Sequence, residues 1–277
     1  MQKKFPLLIC FFILLNSCRS PRIIYSPSPP NNPYFREKGE SKLAGYYSSG
    51  GDDNSLTKEY NHGFDLQSAY AVTNHFALTS GYFQRKEKDI LFPIYTRRHF
   101  DSSVINYNRH ITDFGGGYFT QLGSSKIVFF NLFGGIGFGK FSFTDNGLDS
   151  AGMNYNRFYN SKITKWYIQP ALNIFASEHF KIGLIGKYCR VHYKTQGTSY
   201  TTYEENYLDL DKLKKTSLGF FESTLNMQVS MKGAEWINLD GGFTFSSEPF
   251  DNSINLEARN FNASIGLGIN FSRLKKK

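Results

Sequence analysis

The side chains that could carry out acid–base chemistry in this chain are its six histidines and the carboxylates near them. His110 and Asp113 are the most suggestive pair, but a separation of three residues puts them on opposite faces of an extended strand. His99 has Asp101 and two serines close by in sequence, a grouping too common to indicate a dyad. General acid–base catalysis needs an aligned pair within hydrogen-bond reach. The sequence therefore predicts no catalytic residues.

Motifs for a bound metal or cofactor are also missing from the sequence. No Cys/His grouping and no HExxH motif has the spacing of a metal site. The glycine clusters at 115–117 and 134–139 lie inside predicted strands, and no predicted helix follows them to bind a phosphate. We therefore predict neither a metal nor a cofactor.

The first eighteen residues indicate a different chemistry, which is covalent lipid attachment. Two lysines precede an apolar run from Phe5 to Leu15, too short to span a bilayer and typical of a secretory signal. The closing Leu-Asn-Ser-Cys resembles a bacterial lipobox, which implies a signal peptide over 1–17 and a lipid on Cys18. Arg19, where an aspartate would retain a lipoprotein in the inner membrane, implies sorting to the outer membrane. The alternative is an ordinary signal peptide cut nearby.

Composition favours a membrane barrel and gives little support for nucleic-acid binding. Loss of the signal leaves 30 of the 32 basic residues against 23 acidic ones, and no basic helix is predicted. The chain holds 27 Phe, 18 Tyr and 25 Gly, the residues from which outer-membrane barrel walls are built. After removal of Cys10 and acylation of Cys18, Cys189 would stand alone, so no disulfide is predicted.

Residues 18–41 are predicted to form a tether between the lipid and the folded domain. The stretch is rich in proline and small polar residues, a composition typical of semi-rigid extended linkers. We expect this tether to lie in the periplasm. At the other end of the chain, residues 273–277 are predicted to form a basic tail.

Residues 42–272 show alternation with a period of two and no convincing helix. In the last segment Phe261, Ile265 and Leu267 share an apolar face, and polar or small residues occupy the other face. Segments 126–143 and 42–50 are the least regular, and the loss of phase in 126–143 suggests a bulge. The ten predicted strands are 42–50, 60–72, 76–87, 106–121, 126–143, 161–175, 179–194, 215–230, 235–247 and 257–272.

The connections between these strands alternate strictly between short and long. The long ones are 51–59, 88–105, 144–160, 195–214 and 248–256. An up-and-down membrane barrel has short periplasmic turns and long outer loops. The chain thus resembles small Gram-negative outer-membrane β-barrels of the OmpA, OmpX and OmpW kind. The resemblance implies an all-β, antiparallel, up-and-down transmembrane barrel of about ten strands, with both termini in the periplasm. The alternative is a soluble β-sandwich or lipocalin-like barrel anchored by its lipid in the periplasm.

The end of the last strand predicts a partner for biogenesis. Residues 264–271 read Ser-Ile-Gly-Leu-Gly-Ile-Asn-Phe. They resemble the last-strand signal that the barrel-assembly machinery reads, although six residues follow Phe271.

Small ten-stranded barrels include omptin proteases, which pair two carboxylates with an aspartate–histidine pair. Asp209 and Asp211 have the spacing of the first pair, but no Asp-x-His occurs in this chain. The resemblance therefore does not extend to omptin catalysis.

With the apolar faces turned to lipid, polar residues of both signs should face the lumen. We expect them to pair into a closed network, and the alternative is a narrow channel whose selectivity they tune. The predicted luminal residues are Asp65, Gln67, Asp113, Gln169, Lys181, Lys187, Glu222, Gln228 and Asp240.

The tyrosines of the predicted outer loops form a second predicted site, because tyrosine offers a large contact area with few rotatable bonds in binding surfaces. The alternative is that they belong to an aromatic girdle at the membrane interface. The predicted loop surface comprises Tyr155, Tyr159, Tyr200, Tyr203 and Tyr207. We expect a non-enzymatic barrel with a structural or surface-binding role, membrane lipids as partners and an extracellular ligand that the sequence does not identify. A narrow solute channel is the alternative, and a hydrolase at the rim ranks below it.

Overall fold

The computed structural model describes residues 22–50, 57–91, 103–148, 152–247 and 256–274. Its elements in chain order are β1 (Arg22–Tyr25), β2 (Ser41–Gly50), β3 (Thr57–Ala71), β4 (Phe76–Leu91), β5 (Ser103–Leu122), β6 (Val128–Leu148), β7 (Asn154–Phe175), β8 (Phe180–Thr198), α1 (Thr202–Tyr207), α2 (Leu210–Leu213), β9 (Ser217–Met231), β10 (Ala234–Ser246), β11 (Leu256–Ala258), β12 (Phe261–Asn270) and α3 (Phe271–Leu274). Among these residues no helix is long and apolar enough to cross a membrane.

Ten strands close into an antiparallel barrel, as the sequence predicts. Each of β2 to β10 pairs with its neighbour in the chain, and β12 pairs with both β10 and β2 to close the cylinder. Connections of two to five residues join the strands at one end of the barrel. At the other end the connections are longer, except for the five residues 149–153 between β6 and β7. We call these the turn end and the loop end.

The wall has an apolar outer face and an inner face that mixes charged, polar and apolar side chains, because successive side chains of a strand point in opposite directions. Exposed and buried residues alternate along almost the whole of β7. Ile265 and Leu267 are 57% and 64% exposed on the outside of the barrel. Because these apolar side chains point outward, where a soluble barrel would turn them inward, the structure has the outward apolar belt of a membrane barrel.

The bulge predicted in 126–143 is wrong. The register of β6 with β5 and β7 is continuous from Val128 to Leu148. The alternation is hidden in the sequence because both faces carry phenylalanine. Phe133 and Phe141 point into the barrel and are buried, whereas Phe138 points outward and is 51% exposed.

The structure also corrects the predicted loops. Residues 144–148 and 154–160 belong to β6 and β7, so this hairpin extends as strand through most of its predicted loop. The connection between β8 and β9 contains α1 and α2 where no helix was predicted. Thr201 and Glu204 form a reciprocal capping box at the start of α1. Helices of six and four residues are too short to produce a periodic apolar pattern.

The predicted tether is wrong for residues 22–35. These residues lie inside the barrel and are buried apart from Asn31, which is half-buried. We call residues 22–35 the luminal segment. At its start β1 pairs in parallel with β11, a short strand of the connection between β10 and β12. The proline-rich part that follows, residues 27–33, forms no strand. Side chains that line the lumen supply its hydrogen-bond partners instead.

The luminal segment runs from the loop end to the turn end. Arg22 contacts Asp145 near the loop end of β6. Phe35 packs with Ala71 and Ala77 at the turn end, where β2 then begins. Because β12 also finishes at the turn end, Arg22 and Asn270 lie at opposite ends of the barrel. Both ends of the barrel wall, the start of β2 and the end of β12, lie at the turn end as predicted, whereas the luminal segment before β2 begins at the loop end.

Candidate functional site: the filled lumen

The backbone of the luminal segment is held by side chains of the wall. Arg109 donates to the carbonyls of Ile24 and Ile23 at 2.7 and 3.2 Å, and Gln67 donates to the carbonyl of Pro29 at 2.8 Å. Buried carbonyl and amide groups need such partners. The four prolines of the segment lack an N–H group, which reduces the number of buried donors that the wall must satisfy.

At the loop end an aromatic and charged layer closes the barrel. Arg22 forms an ion pair of 2.6 Å with Asp145, and the Tyr200 hydroxyl donates to the same carboxylate at 3.0 Å. Burial raises the pKa of Tyr200 well above its usual value, so this hydroxyl remains a neutral donor at physiological pH. Leu210 and Leu213 of the helical connection are fully buried against this layer.

A second arginine fixes the connection between β10 and β12 in the same mouth. Arg259 is 3% exposed and forms ion pairs with Asp89 and Glu59. Its backbone amide donates to the carbonyl of Tyr25 at 2.9 Å. The connection that contains β11 thereby folds into the barrel and lies over the start of the luminal segment.

In the middle of the barrel a tyrosine of the luminal segment joins a buried ion pair. Lys187 and Glu222 lie 3.1 Å apart, and the Tyr25 hydroxyl donates to Glu222. The ring of Tyr25 stacks on Phe220 with centroids 4.0 Å apart. The segment is therefore bound by its side chains as well as by its backbone.

Nearer the turn end the network is formed mainly by the wall. Lys42 donates to Asp240 at 2.5 Å, and Tyr46 and Gln228 donate to the same carboxylate at 2.7 and 2.8 Å. Lys181 donates to Gln228 at 2.9 Å. Each buried charge in this cluster has an opposite charge or a hydrogen bond, which a low-dielectric interior requires.

The nine predicted luminal residues all point into the barrel. Eight are buried and Asp113 is half-buried beside Lys165, with 2.7 Å between the charged atoms. The sequence reasoning missed other charged wall residues of the lumen, of which three pair with predicted residues: Lys42 with Asp240, Arg85 with Asp65 and Lys165 with Asp113. The remaining missed wall residues are Glu87, Asp89, Arg109 and Asp145. Extending the alternation of β4 from the exposed Leu78 and Tyr82 would have turned Arg85 and Glu87 inward. No pattern in the sequence points to Arg22, Tyr25 or Arg259.

Little free space remains in the lumen. The cavity between the luminal segment and the wall has a volume of about 30 Å³, enough for about two water molecules. Its lining includes Pro29, Asp65, Gln169 and Lys187. Beside residues 28–31 the luminal segment therefore leaves little open space against the wall.

Only part of the predicted tyrosine surface is on the surface. Tyr159 and Tyr200 are buried in the aromatic layer at the loop end, so their assignment to a binding surface is wrong. Tyr155 is half-buried and donates to Asp145 at 3.3 Å. Tyr203 and Tyr207 are exposed on α1, with ring centroids 6.4 Å apart. The buried tyrosines were misplaced because strands and a folded connection replace the predicted loops.

The geometry does not assemble a hydrolytic site from the described residues. His62, His110 and His192 point outward from the wall, away from the paired carboxylates of the lumen. Asp209 and Asp211 lie near Lys212 and Lys215 at 3.1 and 3.0 Å. His99 and Asp101 lie outside the described residues, as does Cys18. No group of three potential metal ligands occurs in the described ranges.

Comparison with known proteins gives matches by fold and none by sequence. No protein-family model and no curated protein matches the chain. The translocator domain of the autotransporter NalP from Neisseria meningitidis matches with a TM-score of 0.50 and 8% identity, over 86% of this chain and 90% of that one. The chain has the fold of Gram-negative outer-membrane β-barrels.

Two further solved barrels give lower scores. The outer membrane protease OmpT from Escherichia coli matches with a TM-score of 0.46 and 10% identity, over 88% of this chain and 99% of that one. Ail, the attachment invasion locus protein of Yersinia pestis, matches with a TM-score of 0.31 and 12% identity, over 84% and 97%. At sequence identities this low, the similarity concerns the fold alone.

Proposed function

We propose that this chain is an outer-membrane barrel sealed by its own N-terminal segment, with a structural or surface-binding role and no enzymatic activity. The observation that carries the proposal is the course of residues 22–35, which fill the lumen from mouth to mouth. Membrane placement is supported by the outward apolar belt, because exposed aromatic and aliphatic side chains on all sides of a barrel are stable in lipid and not in water. The outward direction of His62, His110 and His192, away from the luminal carboxylates, supports a non-enzymatic role.

The closed lumen is tested by conductance in planar bilayers. We expect the purified full-length barrel to give no steady ion current, because the cavity beside the luminal segment holds about 30 Å³. Insertion is checked in parallel by the shift in electrophoretic mobility on heating. A steady current that Lys187→Glu alters would contradict the sealed barrel and favour the narrow channel.

The orientation follows from the two ends of the barrel. Long connections face outward in outer-membrane barrels, so we propose that the chain enters the lumen at Arg22 from the extracellular side. The C-terminus then lies in the periplasm. An epitope inserted immediately before Arg22 should be labelled on intact cells, whereas an epitope after Leu274 should be labelled only after permeabilisation. The reverse pattern would contradict this orientation.

Lipid attachment to Cys18 stays a prediction from the sequence. Cys18→Ala should abolish incorporation of a palmitate analogue, and Cys189→Ala is the matched control because Cys189 is fully buried. Persistent labelling of the Cys18 variant would remove the lipoprotein proposal. The barrel-assembly signal over residues 264–271 likewise stays a prediction. We expect Phe271→Ala to reduce the fraction of assembled barrel.

Surface binding is proposed for the exposed face of α1. Tyr203 is 78% exposed and stacks beside Tyr207, which leaves two aromatic faces available at low entropic cost. Arrays of glycans and of extracellular-matrix proteins can be probed with the purified barrel. A signal that is lost in Tyr203→Ser/Tyr207→Ser and kept in Met153→Ser would support this surface. No signal for any of the three proteins would leave the structural role.

A further inference from the structure

Charges are sorted by sign across the wall of β3–β8. All six carboxylates of these strands point into the lumen, and each has a cationic partner there. The outer faces of the same strands carry no carboxylate in their described residues. They carry several cations instead, namely Lys58, Lys86, Lys88, Lys140, Lys162, Arg190 and Lys194, together with His62, His110 and His192.

Four of these side chains are lateral neighbours. In the strand register His110 stands opposite Lys140, Lys140 opposite Lys162, and Lys162 opposite Lys194. We call these four residues the basic row. Adjacent strands lie about 4.8 Å apart, so the row spans roughly 15 Å. Like charges directly opposite each other destabilise a sheet, and no carboxylate in the described chain partners any member of the row.

The basic row begins at the border of the apolar belt and extends away from it on the loop-end side. Lys140 is the first outward position beyond Phe138, which is 51% exposed, whereas on β8 Arg190 and His192 lie between Tyr188 and Lys194. On the far side of the barrel, β9, β10, β12 and β2 have no outward Lys or Arg. There the exposed Phe245 and Phe261 continue almost to the loop end. The cations therefore occupy one side of the barrel, at the depth of lipid headgroups.

We infer that the basic row binds the phosphate groups of anionic lipid headgroups in the leaflet at the loop end. Two neighbouring cations of the row can straddle one phosphate, which offsets the repulsion that they otherwise exert on each other. The row lies on the outer wall beside the apolar belt, so the occupant is a lipid whose tails lie against Phe138 and Trp166. A free anion would instead bind in the shallow depression lined by His192, Lys194 and Lys214. This inference rests on the proposed placement in an outer membrane.

The test is a lipid titration of the full-length barrel in neutral detergent micelles. The probe is lipid A with two phosphates, compared with its dephosphorylated form and with inorganic phosphate, and binding is followed by the midpoint of heat unfolding. The test variant is Lys140→Gln/Lys162→Gln/Lys194→Gln. The matched control is Lys38→Gln/Lys126→Gln/Lys232→Gln, which removes the same charge from exposed lysines at the turn end.

We expect phosphorylated lipid A to raise the unfolding midpoint of the wild type and of the control. The test variant should require roughly tenfold more lipid, since each exposed lysine contributes to anionic surface binding, and Lys→Arg at the same positions should restore binding. Without lipid, its midpoint should equal or exceed that of the wild type, because repulsion is removed.

Equal effects of phosphorylated and dephosphorylated lipid, or equal losses in the test and control variants, would overturn the inference. Protection by millimolar inorganic phosphate alone would replace the lipid with a soluble anion. Failure of membrane placement is a separate result, because extraction of the barrel from cells by carbonate without detergent measures it independently.

Discussion

At the residue scale, the energetic weight of a charge in this protein depends on which side of the wall it occupies. Lys42 and Asp240 are both buried, and removal of one partner leaves the other charge without compensation in a low-dielectric interior. Lys215 and Asp211 form a pair of similar length, 3.0 Å, but the lysine side chain is 73% exposed. Water and salt screen such a pair. Similar ion-pair geometries therefore have different consequences.

Asp240→Asn should lower the free energy of unfolding by about 3–5 kcal/mol, because the buried Lys42 loses its counter-charge. Asp211→Asn is the control and should change it by less than about 1 kcal/mol. Urea unfolding in detergent micelles, followed by tryptophan fluorescence, measures both. Similar values for the two variants would show that the lumen is wetter than its packing indicates.

Tyr200→Phe removes the hydroxyl that donates to Asp145 at 3.0 Å. A hydrogen bond to a charged group contributes about 1.5–3 kcal/mol, so we expect a loss of that size in the same unfolding assay. Tyr203→Phe removes a hydroxyl from an exposed ring and should stay within about 0.5 kcal/mol of the wild type. If Tyr200→Phe left the free energy of unfolding unchanged, Tyr200 would lie on the surface, as the sequence alone predicted.

At the element scale, the luminal segment and the wall fit together through small residues. A Cβ atom added to Gly183 of β8 would lie 2.7 Å from Asn32 Nδ2 and 2.8 Å from Tyr34 Oη. Both atoms belong to the luminal segment. Glycine at this position therefore allows the segment to pass close to β8 near the turn end. Gly186, on the outer face of the same strand, has nothing nearer than 3.6 Å from its Cβ position.

Gly183→Val should displace residues 31–35, the part of the luminal segment nearest the turn end, while the barrel wall remains closed. Amide hydrogen exchange at residues 31, 32, 34 and 35 should become faster, because the side chains of Asn32 and Tyr34 must move away from β8. Pro33 has no amide hydrogen. Gly186→Val should leave their exchange unchanged, since its new side chain points toward lipid. Equal exchange in both variants would mean that the segment does not depend on contact with β8.

At the scale of the whole molecule, two sets of apolar residues stabilise the barrel in different environments, lipid outside and the packed lumen inside. One set forms the belt on the outside, and the other packs with the charges and the luminal segment inside. Leu132 lies near the middle of the belt on β6, whereas Leu148 lies at the loop end of the same strand, beyond Lys140. The depth of a residue along the strand should therefore determine the cost of a charge on the outer face.

Leu132→Arg should lower the free energy of unfolding in phosphatidylcholine vesicles by about 2–4 kcal/mol, which is the cost of an arginine near the bilayer midplane. Leu148→Arg should cost no more than about 1 kcal/mol, because it lies beyond the belt. Urea titration of the folded fraction measures both values. Equal costs would argue that the belt is not embedded in a membrane.

The sequence by itself determined the ten strands, the direction of their outward apolar faces, and the alternation of short and long connections everywhere except between β6 and β7. The period of two makes this possible, because it assigns each residue to a face without knowledge of its partner. The same rule turned Asp65, Lys187 and Glu222 inward. It could not pair Lys187 with Glu222, since the pairing depends on the register of two strands 35 positions apart in the chain at these residues.

Only the tertiary structure decided that the lumen is filled by residues 22–35 and, at the loop end, by β11 with Arg259. Both stretches lack the periodicity of a regular element, so their composition resembles that of a linker or loop. Their fate depends on the width of the closed barrel and on inward charges contributed by many strands. Closure of a cylinder is a property of all ten strands together, and no local pattern in the luminal segment records it.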